Sequence, residues 1–124
     1  MIVGLGIDVA SIERHRSALE RFGERIWERI LTVNERADLA ARPDRALALA
    51  GRFAAKEAAA KALGGQPDVW WHDVEIRPGP RGAPGLAFLG PARSHADRLG
   101  VRRILVSITH DAGVADAVVV LESD

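Results

Sequence analysis

An α+β fold is predicted from the order in which two periodicities occur along this 124-residue chain. Helical spacing of apolar residues dominates from about residue 11 to residue 63, whereas alternation in steps of two takes over after Gly64. A tight "DAG" turn then joins two β-branched runs near the end, as in an antiparallel hairpin. Helices collected early and strands collected late favour a single layer of antiparallel sheet packed against helices over a doubly wound sheet. The length suits one domain spanning residues 1–124.

Each element has a local reason. "IVGLGIDV" at residues 2–9 is a β-branched apolar run and reads as a buried strand ending near Asp8. Ser11 then caps a helix to about Leu31, bent or broken at Gly23, with Ile12, Leu19, Phe22, Ile26 and Ile30 on one face. Thr32 and Glu35 have capping-box spacing for a short helix to about Ala41. Pro43 ends it, and Asp44 caps a long central helix to about Leu63, closed by Gly64 and Gly65. "WHDVEIRPG" and "LAFLG" read as strands around the Pro/Gly-rich turn "PGPRGAPG". "PARSHADRLG" is a short helix with Pro91 in its first turn, and "RRILVSITH" and "VADAVVVLE" form the hairpin.

Seventeen basic residues balance seventeen acidic ones, so no net field draws the chain to nucleic acid or to a membrane. The absence of cysteine excludes disulfide and thiol chemistry and suits a reducing compartment. The amino-terminal run lacks a basic flank and is interrupted by Asp8, unlike a signal peptide or a membrane span. A soluble, cytoplasmic protein is expected.

The central helix carries the chemical interest. Its core, "GRFAAKEAAAKALGG", contains the only two lysines among the chain's seventeen basic residues, Lys56 and Lys61. At about 100° per residue, Ala50, Phe53, Ala54, Glu57 and Lys61 share one arc, while Arg52 and Lys56 point away with Leu49 and Leu63. Two readings stand. The helix is a solvated one stabilised by a Glu57–Lys61 pair four residues apart, or its alanine floor is a platform on which a ligand lies, with a carboxylate for a hard cation and an ammonium for a phosphate.

Other residues carry chemistry under one reading and plain structure under another. Asp8 is either a cap for the next helix or a ligand on a rigid strand; with Glu57 it makes the pair of carboxylates that Mg²⁺ takes when phosphate and water complete its shell. Glu35 is a cap, or it orients a water or accepts a proton. His110 is a turn histidine or a site residue aimed outward by a strand end. His15, His72 and His95 have no metal-ligand spacing and read as surface or packing residues. Arg14, Arg21 and Arg25 fall within about 40° of one another on a continuous helix, giving a solvated stripe or a docking face for an acidic helix.

"GLGIDV", "RFAAKEAAAKAL" and "VSITHD" resemble, in order and spacing, the short bacterial holo-acyl-carrier-protein synthases of the 4′-phosphopantetheinyl transferase superfamily. The family's helix motif is met by Phe53, Lys56, Glu57 and Lys61, and its amino-terminal Gly-x-Asp by Gly6, Ile7 and Asp8. The resemblance implies a 4′-phosphopantetheinyl transferase-like fold and transfer of 4′-phosphopantetheine from coenzyme A to a serine of apo acyl carrier protein, with Mg²⁺, in fatty acid synthesis. It implies that Asp8 and Glu57 hold the metal, with Lys61 as the third catalytic residue. Lys61, Lys56, Arg52, Thr109 and His110 would contact coenzyme A, with Glu35 a possible water-orienting residue. Arg14, Arg21 and Arg25 would bind the acidic carrier protein. Arg52 with Thr109 and His110 would serve the nucleotide end from an adjacent subunit of a homotrimer. The competing readings are another Mg²⁺-dependent nucleotide transferase or phosphohydrolase, and a non-catalytic trimeric binding module.

Overall fold

Side-chain caps set three of the five α-helix starts in the computed structural model, which describes residues 1–124. The order is β1 (Ile2–Ser11), α1 (Ile12–Phe22), α2 (Glu24–Ile30), α3 (Val33–Leu39), α4 (Arg45–Ala62), β2 (Val74–Pro78), β3 (Pro84–Phe88), α5 (Gly90–Arg98), β4 (Arg103–Asp111) and β5 (Val114–Glu122). Ser11 accepts from the Arg14 amide, Asp44 from the Leu47 amide, and Thr32 and Glu35 form both bonds of the expected capping box. Short 3-10 turns occupy Trp71–Asp73 and Pro80–Gly82.

The α+β class is as expected, with the antiparallel strands divided between two ladders. One sheet has the order β1-β5-β4 and the other is the β2-β3 pair. Pro78 and Pro84 face each other at the turn end of that pair, where neither has an N–H to donate. The sequence expectation for β1 is corrected in two respects. The strand passes Asp8 and runs to Ser11, paired throughout with β5, and only one of its faces is buried. Gly6 and Ala10 face the helices, whereas Leu5, Ile7 and Val9 are 65, 62 and 58% exposed. Those three continue across the sheet through Val120 and Leu105, Val118 and Ser107, and Asp116 and Thr109, as one open face. Asp116 Oδ1 lies within it, shielded from water and without a hydrogen-bond partner.

A second correction concerns the first helical segment. Gly23 takes φ 60° and ψ −136°, so α1 and α2 are separate helices rather than one bent rod. The apolar face predicted across both is therefore split: Trp27 and Ile30 of α2 are buried, but α1 has no fully buried residue. Phe22 stands half-exposed with the Arg21 guanidinium over its ring.

Most of the alanines of α4 serve the core. Ala50, Ala54, Ala55, Ala58, Ala59 and Ala62 are buried in a core shared with Ala115, Ala117, Val119 and Leu121 of β5. Leu49 on the other side packs with Trp27, Ile30, Leu31 and Leu39. The helix is thus enclosed on both sides, which explains why it is stripped to methyl groups: small side chains let elements approach closely while α-helical propensity stays high. Gly4 and Gly6 complete the seam. A Cβ on Gly6 would overlap the carbonyl oxygen of Ala58, and one on Gly4 that of Ala62. Backbone meets backbone there.

Candidate active site

Strand alternation sends Gly4, Gly6, Asp8 and Ala10 of β1 toward α4. Because Gly4 lies on Ala62 and Gly6 on Ala58, two strand residues match one helical turn and the chains run in opposite directions. One more step brings Asp8 beside the face that carries Glu57 and Lys61. Lys61 Nζ donates to Asp8 Oδ1 and to the Ile7 carbonyl, each at 3.0 Å. The Glu57–Lys61 pair of the solvated-helix reading is not formed. Lys61 leans instead across the seam, with its head exposed to the space above it. Asp8 is not the cap of α1, a role taken by Ser11.

Glu57 is held from the other side. Its Oε1 accepts a 2.9 Å hydrogen bond from the indole Nε1–H of Trp71, which leaves Oε2 without a protein partner. Asp8 and the Ile7 carbonyl, both engaged by the Lys61 ammonium, and Glu57 one helical turn before Lys61 offer only oxygen donors. That is the chemistry of a hard-cation site, and Mg²⁺ with substrate phosphates needs no more than two carboxylates. The residues present therefore fit Mg²⁺.

Two expectations fail where the opposite face of α4 is concerned. Lys56 and Glu35, 1% and 0% exposed, form a buried ion pair. The Lys56 ammonium donates to Glu35 Oε1, to the Val74 carbonyl and, at 2.8 Å, to the Trp71 carbonyl. Its three donors are spent. Burial pushes its pKa below the ordinary 10.5, against the pull of Glu35. Lys56 thus has nothing to offer a phosphate, and the expected contact with coenzyme A is replaced by a structural role. Glu35 is likewise sealed. Its oxygens accept from Thr32 N at 3.0 Å, Ile76 N at 3.3 Å and Arg52 Nη1 at 3.4 Å, besides Lys56. No oxygen is left to orient a water, so the capping role stands and the water-orienting role does not.

Arg52 bridges this network to a cavity. Its Nη1 also donates to the Ile76 carbonyl at 2.9 Å. The side chain lines a cavity of about 440 Å³ together with Thr109, His110 and Ile108 from the end of β4. Arg42 and Arg77, which no motif or spacing singles out, line the same cavity and, with Asp44 its one acidic residue, leave it net basic. It lies across α4 from Glu57, as the helical wheel requires.

Of the basic stripe, Arg14 and Arg21 are exposed on α1. Arg25 is exposed too, but on α2 beyond the break at Gly23, so the continuous stripe becomes two short segments. His15 Nδ1 donates to the Ser11 carbonyl and its ring lies against Phe53, His72 Nε2 donates to the Glu28 carbonyl, and His95 Nε2 bonds to Asp68. None belongs to a group of potential metal ligands.

A strand and a helix are joined through glycines, with Asp8 bonded to Lys61 across the join and Glu57 one helical turn away. The chain belongs to the 4′-phosphopantetheinyl transferase superfamily, whose description matches residues 4–116. Within it the chain is similar to holo-acyl-carrier-protein synthases. It is 49% identical over 125 residues to that of Anaeromyxobacter sp. (strain K), covering 98% of this chain and 97% of the relative. The crystal structure of the Neisseria meningitidis synthase matches with a TM-score of 0.89 at 33% identity, covering 99% of this chain and 100% of that one. The Helicobacter pylori synthase, solved in complex with coenzyme A, matches with a TM-score of 0.82 at 33% identity, covering 95% and 99%.

Proposed function

We propose that this chain is a holo-acyl-carrier-protein synthase that moves 4′-phosphopantetheine from coenzyme A to a serine hydroxyl of apo acyl carrier protein, with Mg²⁺, in cytoplasmic fatty acid synthesis. The observation that carries the reading is the Lys61–Asp8 contact across the β1–α4 seam, with Glu57 one helical turn before Lys61 on α4. The serine oxygen forms a bond to the phosphorus that bears the pantetheine arm. The phosphoanhydride bond breaks, and adenosine 3′,5′-bisphosphate leaves with the electron pair. Such transfers depend mostly on positioning and on charge stabilisation.

Asp8 and Glu57 would hold the cation, which when bound neutralises charge on the pyrophosphate. Lys61 supplies a second positive charge from a rigid helix to the same oxygens. Of the two carboxylates considered for the serine proton, only Glu57 keeps an oxygen facing the site, since every oxygen of Glu35 is bonded inside the core.

Arg52, Thr109 and His110 line a basic cavity suited to the phosphates of the nucleotide end, yet within one chain that cavity lies across α4 from Glu57. A homotrimer resolves this, with each site taking Glu57 from one chain and the arginine cavity from its neighbour. The open face of Leu5, Ile7, Val9 and Leu105 supports it as an assembly surface, because such a row of apolar side chains is costly to leave in water. Arg14 and Arg21, with Phe22 between helices, suit an acidic carrier helix.

The direct test is mass spectrometry of apo acyl carrier protein incubated with this protein, coenzyme A and Mg²⁺. The expected result is a gain of one phosphopantetheine, lost with EDTA and with Glu57→Gln. A folded sample that modifies no carrier protein would overturn the reading.

A further inference from the structure

We infer that Trp71 is a positioning residue for the reaction: its indole N–H fixes the Glu57 carboxylate by Oε1 and leaves Oε2 free to take a cation. This inference rests on the proposed role of Glu57 as a metal ligand. Glu57 makes one side-chain hydrogen bond, and its donor is Trp71 Nε1 at 2.9 Å. An indole offers a single donor and no acceptor, so it holds a carboxylate by one oxygen and leaves the other free.

What makes Trp71 a reliable anchor is the machinery behind it. Its carbonyl receives the Lys56 ammonium at 2.8 Å, and Lys56 is itself tied to Glu35 and to the Val74 carbonyl. The 3-10 turn Trp71–Asp73 is pinned again by the Asp73 carboxylate, which accepts from the Trp70 amide at 2.8 Å. The ring is flanked by Phe53 at 6.0 Å and by the Arg29 guanidinium at 5.8 Å. Lys56 and Glu57 are consecutive, so they leave α4 on different sides, and both end on Trp71: one on its backbone and one on its ring. The buried Lys56 thereby positions Glu57 through a residue fourteen places beyond Glu57 in the chain. This accounts for two features that the transfer chemistry alone does not use, the sealed ammonium of Lys56 and the tryptophan at 71.

Partners that orient metal ligands from behind typically cost 10–100-fold in metal affinity or activity when removed. Trp71→Phe deletes the N–H and keeps an aromatic ring against Phe53 and Arg29. We expect the Mg²⁺ concentration for half-maximal transfer to rise about 10-fold or more, with the KM for coenzyme A nearly unchanged. Trp70→Phe, which alters a ring that makes no side-chain hydrogen bond, should leave the Mg²⁺ response as it is. A readout without turnover is Mn²⁺ binding to the protein–coenzyme A complex by electron paramagnetic resonance, where Trp71→Phe should weaken binding by a similar factor.

The decisive comparison is the double variant. If Trp71 acts through Glu57, adding Trp71→Phe to Glu57→Gln weakens Mn²⁺ binding no further. A full second loss would assign Trp71 a general structural role and overturn the inference. Should Trp71→Phe fold poorly, the indole N–H resonance of Trp71 in otherwise native protein gives the same answer. It should shift on Glu57→Gln and on Mg²⁺ addition with coenzyme A bound, and an unmoved resonance would refute the coupling. Unchanged Mn²⁺ binding in Glu57→Gln itself would instead overturn the metal-ligand reading on which the inference stands.

Discussion

Replacing Lys56 with Met tests whether the buried ion pair holds the β2 edge and α3 to the central helix. The ammonium has three acceptors, all inside the protein: a carboxylate and two backbone carbonyls. Methionine fills a similar volume but donates to none of them. Removing one partner of a buried pair typically costs about 3–5 kcal/mol. Here Arg52 stays beside Glu35 at 3.4 Å, and the Thr32 and Ile76 amides still serve that carboxylate. The lower end applies, about 3 kcal/mol. For a domain of this size that lowers the melting temperature by roughly 10–15 °C. Differential scanning calorimetry measures it, and Glu35→Gln combined with Lys56→Met should lose less than the two single variants together. The pH dependence gives a separate check. Burial depresses the native pKa of Lys56 below 10.5. Between that lowered value and 10.5 the unfolded chain binds a proton that the native chain has released, so this group makes stability rise with pH across the window. Lys56→Met should lack that slope. A loss under about 1 kcal/mol, below what an orphaned buried group costs, together with strict additivity, would refute the reasoning.

Glu75 sets part of the acid limb. Burial raises its pKa, but hydrogen bonds from Thr32, Arg77 and Asn34 outweigh burial and hold it below 4.5. Its contribution is therefore complete above pH 4.5 and is lost as pH falls through the lowered native value, and Glu75→Gln should flatten acid unfolding followed by circular dichroism. Gly6→Ala should cost about 1–3 kcal/mol by overpacking against the Ala58 carbonyl, and should raise the Mg²⁺ requirement as Asp8 is lifted off the helix. A variant with native stability and Mg²⁺ response would contradict the seam. Leu105→Arg, on the open sheet face, should shift sedimentation toward monomer and abolish transfer while the chain stays folded; a fully active monomer would refute the shared site. Arg14→Glu should slow association with carrier protein in stopped-flow experiments and blunt its salt dependence, with little change in the rate after binding. Unchanged association would return Arg14 to a solvated face.

Local chemistry was legible in the sequence wherever a short-range signal decided the outcome. The capping box at Thr32 and Glu35, the Asp44 cap, the hairpin at residues 111–113 and the stop at Gly64 all act within a few residues, and each is found. The opposite placement of Arg52 and Glu57 on α4 was legible for the same reason, since helical geometry alone dictates it. What the sequence hid was tertiary. The alanine floor looked open because nothing local says that Gly4 and Gly6 lie on it. Lys56 looked available because charged residues are almost always solvated, and only the return of the chain at residues 71–76 buries it. Trp71 carried a faint signal, an aromatic with one donor that needs a partner, but no spacing rule connects it to Glu57. The stripe of Arg14, Arg21 and Arg25 failed at a single torsion, the positive φ of Gly23.

The glycine seam has a consequence for how the protein can change over time. Most distances between packed elements depend on side-chain volume, so every substitution in a core shifts them slightly. At Gly4 and Gly6 the spacing between β1 and α4 is set by main chain against main chain, with the Leu121 Cδ1 beside Gly4 the one side chain that comes close. Val119 or Ile76 can drift to other apolar residues, with the usual cost in stability, while the approach of β1 to α4 that brings Asp8 to Lys61 is kept. The seam works as a gauge block: it separates the evolution of the core from the geometry of the site, and concentrates intolerance to mutation in two positions that carry no chemistry of their own.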